Sequence, residues 1–440
     1  MLMVDLIEKK RNGLALTKSE IDWLIQKYSV GDIPDYQMAA FLMAVYFKGM
    51  TATETADLTM AMVESGDKVD FTDIPGIKVD KHSTGGVADT TTLIVLPLVA
   101  AMGVKVAKMS GRGLGFTGGT IDKLESIPGF VAELSDAEFK KQLKLYGMAI
   151  TGQSPTLAPA DGKLYALRDV TGTTASIPLI ASSIMSKKIA AGADKILLDV
   201  KVGSGAFMDK LSDAIKLAET MVSIGDLVGR ETRAVLTSMA EPLGEYIGNS
   251  LEVREAIEIL SGKGQGPLRQ VALMLGANLL QMAEVTNDTK EGYDKLEQVL
   301  LSGRGLEKFQ ELITIQHGNP AVVVQLGLLP QARYKVVVAS TRKGYVQHIN
   351  TAAIGKVAAM LGAGRMKKDQ KIDLAAGIKM KCRIGDFLNE GDPLAVLESN
   401  ILEMLEAEKL LRSSICIADE KPVKPIVIIG VVDNKGFTAM

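Results

Sequence analysis

The first part of the chain carries hydrophobic residues at three- and four-residue spacing. Ile21 and Leu24 belong to one such group, and Met38 opens another. This spacing predicts amphipathic helices with one buried face. Thr17 and Thr51 are each followed three residues later by glutamate, which is the spacing of a capping box at a helix start. Residues 1 to about 66 are therefore predicted to form four short helices.

The pattern changes after residue 70 to short apolar runs that alternate with helical segments. The predicted strands are 77–80, 104–108, 196–202 and 234–237. A buried helix is predicted over 91–102, and further helices begin near 208 and 251. Strands that alternate with helices in this way indicate a mainly parallel sheet.

Two further segments break the alternation. Residues 157–193 read as helices bounded by prolines and glycines, and we expect them to rejoin the N-terminal helical lobe. From about residue 335 the chain consists of short alternating strands with glycine turns.

The predicted fold class is α/β, with a small all-helical lobe and a large mixed α/β lobe around a mainly parallel central sheet. A C-terminal strand-rich α+β module completes it. The predicted domains are 1–66, rejoined by about 157–193; 70–156 with 194–334; and 335–440.

Composition restricts the class of protein. The chain has 440 residues, a formal net charge of −2 and 23% charged residues, which gives no general reason to expect nucleic acid as a partner. Its two cysteines, Cys382 and Cys416, lack metal-binding spacing and suit a reducing compartment. Charged residues interrupt every apolar run, and the N-terminus has no signal pattern. We expect a soluble cytoplasmic protein without membrane contact.

Two glycine clusters, 81–86 and 110–120, each follow a predicted strand and precede a helical segment. Glycine lets backbone N–H groups converge on a ligand, and a following helix adds its positive end. Lys81, Arg112 and several hydroxyls lie nearby and would donate to a tetrahedral oxyanion. The hydroxyl residues are Ser83, Thr84, Ser110, Thr117 and Thr120. The clusters predict a phosphate site; the alternative is two tight turns that need glycine only for geometry.

A second constellation of candidate binding residues lies in the predicted helical segment 157–193. Tyr165 and Arg168 are three residues apart, and Ser183 and Lys187 are four apart, so each pair shares one helix face. Two cations and a hydroxyl can converge there on a polar ligand. Solvated surface charge is the alternative, since lysine and arginine on helices usually face water.

These motifs resemble the pyrimidine-nucleoside and thymidine phosphorylases almost from end to end. The resemblance rests on residues 81–87, 110–115, 117–120, 124–126 and 182–188. It implies reversible phosphorolysis, in which phosphate attacks C1′ of a pyrimidine nucleoside with inversion and without a covalent enzyme intermediate. The products are the free base and α-(deoxy)ribose-1-phosphate. No organic cofactor is implied.

The resemblance also implies site residues. Phosphate would be held by Lys81, Ser83, Thr92, Ser110 and Thr120. The base would be held by Arg168, Ser183 and Lys187, with Tyr165 at the edge of the nucleoside site.

The implied catalytic residues are His82, Arg168 and Lys187. Negative charge builds on the leaving base, so cations aimed at it stabilise the transition state. His82 could donate a proton or hydrogen bond to a base oxygen, since an imidazole titrates near the working pH. A structural role is the alternative for His82. Phosphate and base would meet when a cleft closes about hinges near 66–75, 153–158 and 192–194. A homodimer through the helical lobe, near Trp23, is also expected.

Two residues depart from the family pattern within its signature. Ala88 stands where glycine is usual, and Phe116 stands where histidine is usual. The family binds a monovalent cation of the potassium type at this turn, so its retention depends on Ala88. The candidate ligands are Ala88, Thr90, Leu243, Tyr246 and Glu255. Lys108 is typical of the branch that accepts both uridine and deoxynucleosides.

Two rival functions stay open at this point. An anthranilate-type phosphoribosyltransferase shares the fold, but it needs an acidic pair for magnesium that the sequence does not present. A catalytically impaired nucleoside-binding homologue is the other rival, and it rests on Ala88 and Phe116.

Overall fold

The structure is a computed structural model that describes residues 1–113, 118–365 and 370–440. The predictions that concern Phe116 and Thr117 therefore lie outside the described residues. The helical lobe follows the sequence pattern closely. Its helices are α1 (Met3–Arg11), α2 (Lys18–Ser29), α3 (Asp35–Lys48) and α4 (Ala52–Val63).

Both predicted capping boxes of the helical lobe are present. The side chain of Thr17 accepts from the backbone N–H of Glu20, and that of Thr51 accepts from the N–H of Glu54. Each glutamate side chain in turn accepts from the backbone of its threonine. The four helices bury their apolar faces against one another in a single cluster.

The α/β lobe begins with β1 (Lys78–Ser83), α5 (Thr91–Ala100), β2 (Lys105–Ser110), α6 (Thr120–Leu124), α7 (Asp136–Tyr146) and β3 (Met148–Gly152). Two helices follow, α8 (Pro159–Thr171) and α9 (Ile177–Ala190). The lobe continues with β4 (Lys195–Val202), α10 (Leu211–Leu227), β5 (Glu231–Ser238), β6 (Tyr246–Ile247), α11 (Asn249–Leu260), α12 (Pro267–Met282), α13 (Thr289–Leu301) and α14 (Arg304–Ile315).

The central sheet has its strands in the order β14 (Gly436–Ala439), β13 (Ile428–Asp433), β5, β4, β1, β2, β3, and β1 to β5 run parallel. Side chains of β4 alternate between two cores. Leu197 faces the cluster built with α5 and α11 to α14, whereas Ile196 and Leu198 face the cluster built with α7, α9 and α10. Helices cover both faces of the sheet, so side chains on both sides of β4 are buried.

Strand β1 is longer than the predicted strand 77–80, because it continues through Lys81 and His82 to Ser83. Polar residues at these positions suggested the end of the strand. They remain in the sheet because buried carboxylates pair with the buried lysines, as Asp199 does with Lys81 at 3.3 Å. Successive side chains of a strand point to opposite faces, so Lys81 and His82 diverge.

The interruption 157–193 behaves differently in its two halves. Helix α8 packs on the helical lobe through Ala160 and Leu164. Helix α9 joins both lobes, since Leu179 packs in the helical lobe while Met185 and Ile189 pack in the α/β core. The sequence suggested that the whole segment rejoins the helical lobe. Instead, α9 has apolar residues on two sides, and each side is buried in a different core.

The C-terminal module contains β7 (Tyr334–Ala339), β8 (Gly344–Ile349), α15 (Thr351–Met360), β9 (Gly377–Met380), β10 (Phe387–Leu388), β11 (Pro393–Ser399), α16 (Leu405–Ser413) and β12 (Ile415–Ala418). These strands form two small antiparallel sheets, one of which also includes β6.

The predicted C-terminal unit 335–440 does not stay together in one module. Its last strands are β13 (Ile428–Asp433) and β14 (Gly436–Ala439), and both belong to the central sheet. Strand β13 pairs antiparallel with β5, where Val431 lies opposite Val235. This pairing covers an edge that the parallel strands would otherwise leave open.

Within the described ranges, no helix combines the length and the hydrophobicity needed to cross a membrane. Helix α5 is entirely buried and apolar but has only 10 residues. A spanning helix needs about 20.

Candidate active site

A cleft of about 680 Å³ lies between the α/β lobe and helices α8 and α9. One wall consists of the two glycine turns, with Ser83, Thr92, Ser110 and Thr120. The opposite wall consists of Tyr165, Arg168, Ser183 and Lys187. His82 and Lys108 also line the cleft. Thus the structure brings together the two constellations that the sequence analysis treated separately.

The glycine-turn wall offers hydroxyls and a helix start. Thr92 lies in the first turn of α5, and Thr120 begins α6. Ser83 ends β1 and Ser110 ends β2, so the carboxyl ends of two adjacent parallel strands meet at this wall. Neutral donors beside the positive end of α5 suit a bound oxyanion.

Two cations that the sequence analysis assigned to the phosphate site point elsewhere. The Nζ atom of Lys81 donates to Thr91 Oγ1 at 2.5 Å and lies 3.3 Å from Asp199, and Lys81 does not line the cleft. The guanidinium of Arg112 donates to both carboxylate oxygens of Glu125, at 2.6 and 2.7 Å. Carboxylates from adjoining segments therefore take up both positive charges.

The carboxylate of Asp89 also borders the cleft, and sequence reasoning missed it. Its oxygens accept from Ser83 Oγ at 2.5 Å and from Thr91 Oγ1 at 2.6 Å. Burial alone would raise the pKa of Asp89, but the charges of Lys201 and Lys81 hold it well below its usual range. Asp89 thus stays ionised and orients the Ser83 hydroxyl.

Arg168 is 3% exposed and held by backbone carbonyls. Nη1 donates to Leu179 O at 3.1 Å, Nη2 to Thr174 O at 2.9 Å and Nε to Thr173 O at 3.5 Å. A guanidinium has five N–H donors, so donors remain for a ligand in the cleft. Burial lowers the pKa of Arg168 from its ordinary value.

Lys187 lies in the same wall, and its ammonium group has two polar partners. Its Nζ donates to Asp161 Oδ2 at 2.7 Å and to Ser183 Oγ at 3.2 Å. Asp161 comes from α8 and is 3% exposed, so the pair joins α8 to α9. The sequence analysis missed Asp161; its place in the first turn of α8 was the signal available.

His82 is neutral at neutral pH. Burial and the nearby charges of Lys188 and Lys108 lower the pKa of His82 well below 6.5. The expectation that this imidazole titrates near the working pH is therefore wrong, because several buried lysines surround it. A neutral imidazole still donates one hydrogen bond.

Lys108 is another cleft residue with a shifted pKa. Burial, followed by the charge of Lys188, lowers the pKa of Lys108 to about 7. Its Nζ donates to the carbonyl of Met109 at 3.0 Å.

Apolar side chains that sequence reasoning missed complete the lining of the cleft. They are Ile180, Ile184 and Phe207, and they offer surface for a planar ring.

The predicted cation ligands come close together beside the first glycine turn. Ala88 has a φ of 56°, in the left-handed region that favours glycine. Its carbonyl accepts from Gly244, and that of Leu243 accepts from Arg383.

The remaining three candidate ligands are all buried. Thr90 Oγ1 donates to Glu252 at 2.6 Å. The carboxylate of Glu255 accepts from the N–H groups of Glu245 and Tyr246. Burial raises the pKa of Glu255 to about 8. A buried acid beside carbonyl and hydroxyl oxygens fits a hard cation, since such ions prefer oxygen ligands.

Comparison with known families agrees with this architecture. A profile described as "Glycosyl transferase family, a/b domain" matches residues 76–306, and one described as "Glycosyl transferase family, helical bundle domain" matches residues 4–66. A third profile, "Pyrimidine nucleoside phosphorylase C-terminal domain", matches residues 345–418. The third match ends at the end of β12, before the two strands that return to the central sheet.

Comparison with solved structures shows the fold. Anthranilate phosphoribosyltransferase from Thermus thermophilus superposes with a TM-score of 0.59 and 19% identity. The match covers 71% of this chain and 99% of that one. At this identity the likeness concerns architecture alone.

Curated relatives match over nearly the whole chain. A pyrimidine-nucleoside phosphorylase from Geobacillus stearothermophilus is 52% identical over 428 residues, which is 97% of this chain and 99% of the relative. A protein of the same name from Staphylococcus aureus strain MSSA476 is 53% identical over the same coverage. The chain therefore belongs to the pyrimidine-nucleoside phosphorylase family, and it is an enzyme of the pentosyltransferase kind.

Proposed function

We propose that this protein catalyses the reversible phosphorolysis of pyrimidine nucleosides, with uridine, thymidine and deoxyuridine as substrates. The observation that carries the proposal is the pairing of a hydroxyl-lined glycine wall with a cationic wall across one cleft. The names of the full-length relatives support the substrate class. Lys108 in the cleft supports acceptance of both ribo- and deoxyribonucleosides.

A direct displacement reaction explains why one wall of the cleft suits phosphate and the other suits the base. A phosphate oxygen forms a bond to C1′ while the bond from C1′ to the base nitrogen breaks, and the electron pair leaves with the base. The proton of hydrogen phosphate ends on the released base. Attack on the face opposite the base converts a β-nucleoside into an α-pentose-1-phosphate, and no covalent enzyme intermediate forms.

The residues of the cleft act on the two ends of this reaction. Thr92, Ser110 and Thr120 hold the phosphate. Ser83 joins them if its hydroxyl turns from Asp89, and Lys81 joins them if its amine leaves Asp199. Arg168 and Lys187 face the base oxygens, where negative charge grows, so their stabilisation is greatest in the transition state.

The remaining lining residues position the base. Ser183 donates to the base, and Tyr165 borders it from the same wall. His82 acts as a neutral hydrogen-bond donor, because its pKa lies well below 6.5.

Closure of the cleft would bring phosphate and base together and exclude water. The three predicted hinge segments, 66–75, 153–158 and 192–194, lie side by side, which supports a common hinge. Asp67 N donates to Thr156 O at 2.9 Å, and a Cβ atom at Gly192 would lie 2.2 Å from Val69 O. In solution scattering, phosphate with a base analogue should reduce the radius of gyration; an unchanged radius would refute closure.

A potassium ion is proposed at the carbonyls of Ala88, Leu243 and Tyr246, with Thr90 and Glu255. Among the described residues no cluster of three or more His, Cys, Asp or Glu side chains could hold a metal, so backbone oxygens must supply most ligands. When bound, the ion would supply positive charge that keeps Glu255 ionised. Because it would also bind the carbonyl of Ala88, the ion would fix the first glycine turn.

A homodimer through the helical lobe is proposed from an exposed apolar stripe on α3. Tyr36, Met43 and Phe47 share one helix face and are exposed by 75%, 36% and 74%. Trp23 instead packs against the core of its own lobe. In sedimentation experiments Phe47→Glu should produce monomers, whereas Leu227→Glu, at an exposed site on α10, should leave the assembly unchanged. A monomeric parent protein would refute the dimer.

A cytoplasmic location is proposed from the two cysteines, both of which are free thiols. Free thiols persist in reducing compartments. Fractionation of cells followed by immunodetection tests this location, and recovery outside the cytoplasm would refute it.

The function itself is tested by incubating the purified protein with uridine, thymidine or deoxyuridine, with and without inorganic phosphate. Base release should require phosphate, and release without it would indicate a hydrolase. A requirement for magnesium and pyrophosphate would instead favour the phosphoribosyltransferase. Nucleoside binding without turnover would favour the impaired homologue.

A further inference from the structure

The carboxylate of Asp122 on α6 forms an ion pair with an arginine of the C-terminal module. Arg365 Nη2 lies 2.8 Å from Asp122 Oδ1, and Nη1 lies 3.2 Å from Oδ2. Two parallel N–H donors on one carboxylate are the strongest and most directional form of this interaction. The Asp122 side chain is only 3% exposed, whereas that of Arg365 is 22% exposed.

Asp122 also closes the base of the second glycine cluster. Its Oδ2 accepts from the backbone N–H of Gly113 at 2.6 Å, which joins the segment before the loop to the helix after it. The two segments are in direct contact, because a Cβ atom at Gly119 would lie 2.1 Å from Gly113 N. Asp122 therefore fixes both ends of the loop, and Arg365 fixes Asp122.

The loop ends that Asp122 joins carry two of the proposed phosphate ligands. Ser110 precedes Gly113 at the end of β2, and Thr120 begins the helix that contains Asp122. A shift of either end would move a hydroxyl out of reach of the anion, since hydrogen bonds weaken steeply with distance and angle.

Neutralisation of charge is a second way in which the Asp122–Arg365 pair would favour phosphate binding. Without Arg365, the buried carboxylate of Asp122 would keep a net negative charge beside the wall that receives a phosphate dianion. Among the described residues, the second cation paired with Asp122 is Arg112, which lies farther away, at 3.4 Å, and is shared with Glu125. Removal of one partner of a buried pair leaves the other uncompensated.

Arg365 is itself held in place by the α/β lobe. It follows α15, and the carbonyl of Ala363 accepts from Asn249 Nδ2 of α11 at 3.0 Å. The module also packs on the first glycine turn, where Val87 and Ala88 share an apolar cluster with Ile354. The C-terminal module thus contacts both turns that form the phosphate wall.

We propose that Arg365 is a positioning residue for phosphate: it orients and neutralises Asp122, which holds the second glycine loop so that Ser110 and Thr120 face the anion. The inference rests on the phosphate subsite proposed above. It assigns the C-terminal module a part in substrate binding beyond support of the fold.

The test compares Arg365→Gln, Arg365→Lys and the control Arg342→Gln in the full-length protein. Arg342 is in the same module, and its ion pair with Asp419 is exposed. Steady-state kinetics give separate KM values for phosphate and nucleoside, calorimetry measures binding of inorganic phosphate, and thermal unfolding reports stability.

We expect Arg365→Gln to raise the phosphate KM and the calorimetric Kd roughly tenfold with the nucleoside KM nearly unchanged, and to lower the thermal midpoint because Asp122 loses a partner. Arg365→Lys should be intermediate, because lysine keeps the charge but not the paired geometry. Arg342→Gln should match the parent protein.

An unchanged phosphate KM in Arg365→Gln would overturn the proposal. An equal rise of both KM values would also overturn it, since that result indicates general support of the fold. If Arg365→Gln does not fold, Arg365→Lys and Asp122→Asn decide by the same phosphate-selective criterion. Failure of the parent protein to release base with phosphate would refute the proposed function instead, so the two failures are distinguishable.

Discussion

Lys187 and Asp161 form an ion pair across the contact between α8 and α9, with 2.7 Å between Nζ and Oδ2. The side chain of Asp161 is almost completely buried, whereas that of Lys187 is 25% exposed and lines the cleft. Asp161 therefore fixes where the positive charge of Lys187 meets a ligand. Ser183 Oγ, 3.2 Å from the same Nζ, adds a second constraint.

Asp161→Asn should lower kcat/KM for the nucleoside roughly tenfold, because the amide still accepts a hydrogen bond but no longer directs the ammonium. The KM for phosphate should stay unchanged. Asp22→Asn is a matched control, since Asp22 pairs with Lys18 at 2.6 Å on the exposed surface of α2. Steady-state kinetics with each substrate varied separately check the prediction. A rise in the KM for phosphate with no change for the nucleoside would contradict it.

His82 should act as a hydrogen-bond donor and not as a proton donor, because its pKa lies well below 6.5. His82→Ala should reduce kcat roughly 100-fold, as loss of one transition-state donor does elsewhere. His82→Gln should retain much more activity, since its amide also donates. A pH profile of kcat/KM whose acidic limb near 6.5 disappears in His82→Gln would show that the imidazole titrates and would refute this role.

Glu255 should make stability depend on pH and on potassium. The pKa of Glu255 is raised from 4.5 to about 8 in the folded protein. Between these values the folded state keeps a proton that the unfolded state has released, so the free energy of unfolding falls as pH rises through this window.

A bound potassium ion would keep Glu255 ionised and remove that loss. The thermal midpoints measured in potassium and in tetramethylammonium buffers should therefore diverge as pH rises towards about 8. Glu255→Gln should abolish the divergence. Equal midpoints in both buffers at every pH would exclude a cation that is linked to Glu255.

Ala88→Gly should be about 1 kcal/mol less destabilising than an ordinary buried alanine-to-glycine change, because alanine is strained in the left-handed region where glycine is not. Ala101→Gly is the control: both alanines are buried, but Ala101 directly follows α5 with a φ of −64°, so glycine relieves no strain there. Denaturant unfolding monitored by circular dichroism measures both changes. A loss of stability in Ala88→Gly as large as that in Ala101→Gly would contradict the strain at Ala88.

Local sequence patterns predicted much of the fold. Capping boxes at Thr17 and Thr51, and the alternation of apolar runs with helices, depend on neighbouring residues alone. The return of β13 to the sheet could not be predicted in this way. Its alternating residues suit any half-buried strand, and the choice of β5 as its partner depends on contacts nearly 200 positions apart in the chain.

The candidate site shows the same division. Residue type and spacing singled out Ser83 and Ser110 in one group and Arg168 and Lys187 in another, and the structure lines one cleft with both groups. The direction of a long side chain depends on partners from other segments, so Arg112 could not be expected to turn towards Glu125. Likewise, the neutrality of His82 follows from buried lysines on three different elements.

Phosphate-dependent release of uracil from uridine, with the sugar product identified by phosphorus and proton magnetic resonance, is the most direct test of the proposed reaction. Direct displacement predicts that each released uracil is accompanied by one α-ribose-1-phosphate and that no uracil appears without phosphate. Free ribose, or a β-configured sugar phosphate, would contradict it.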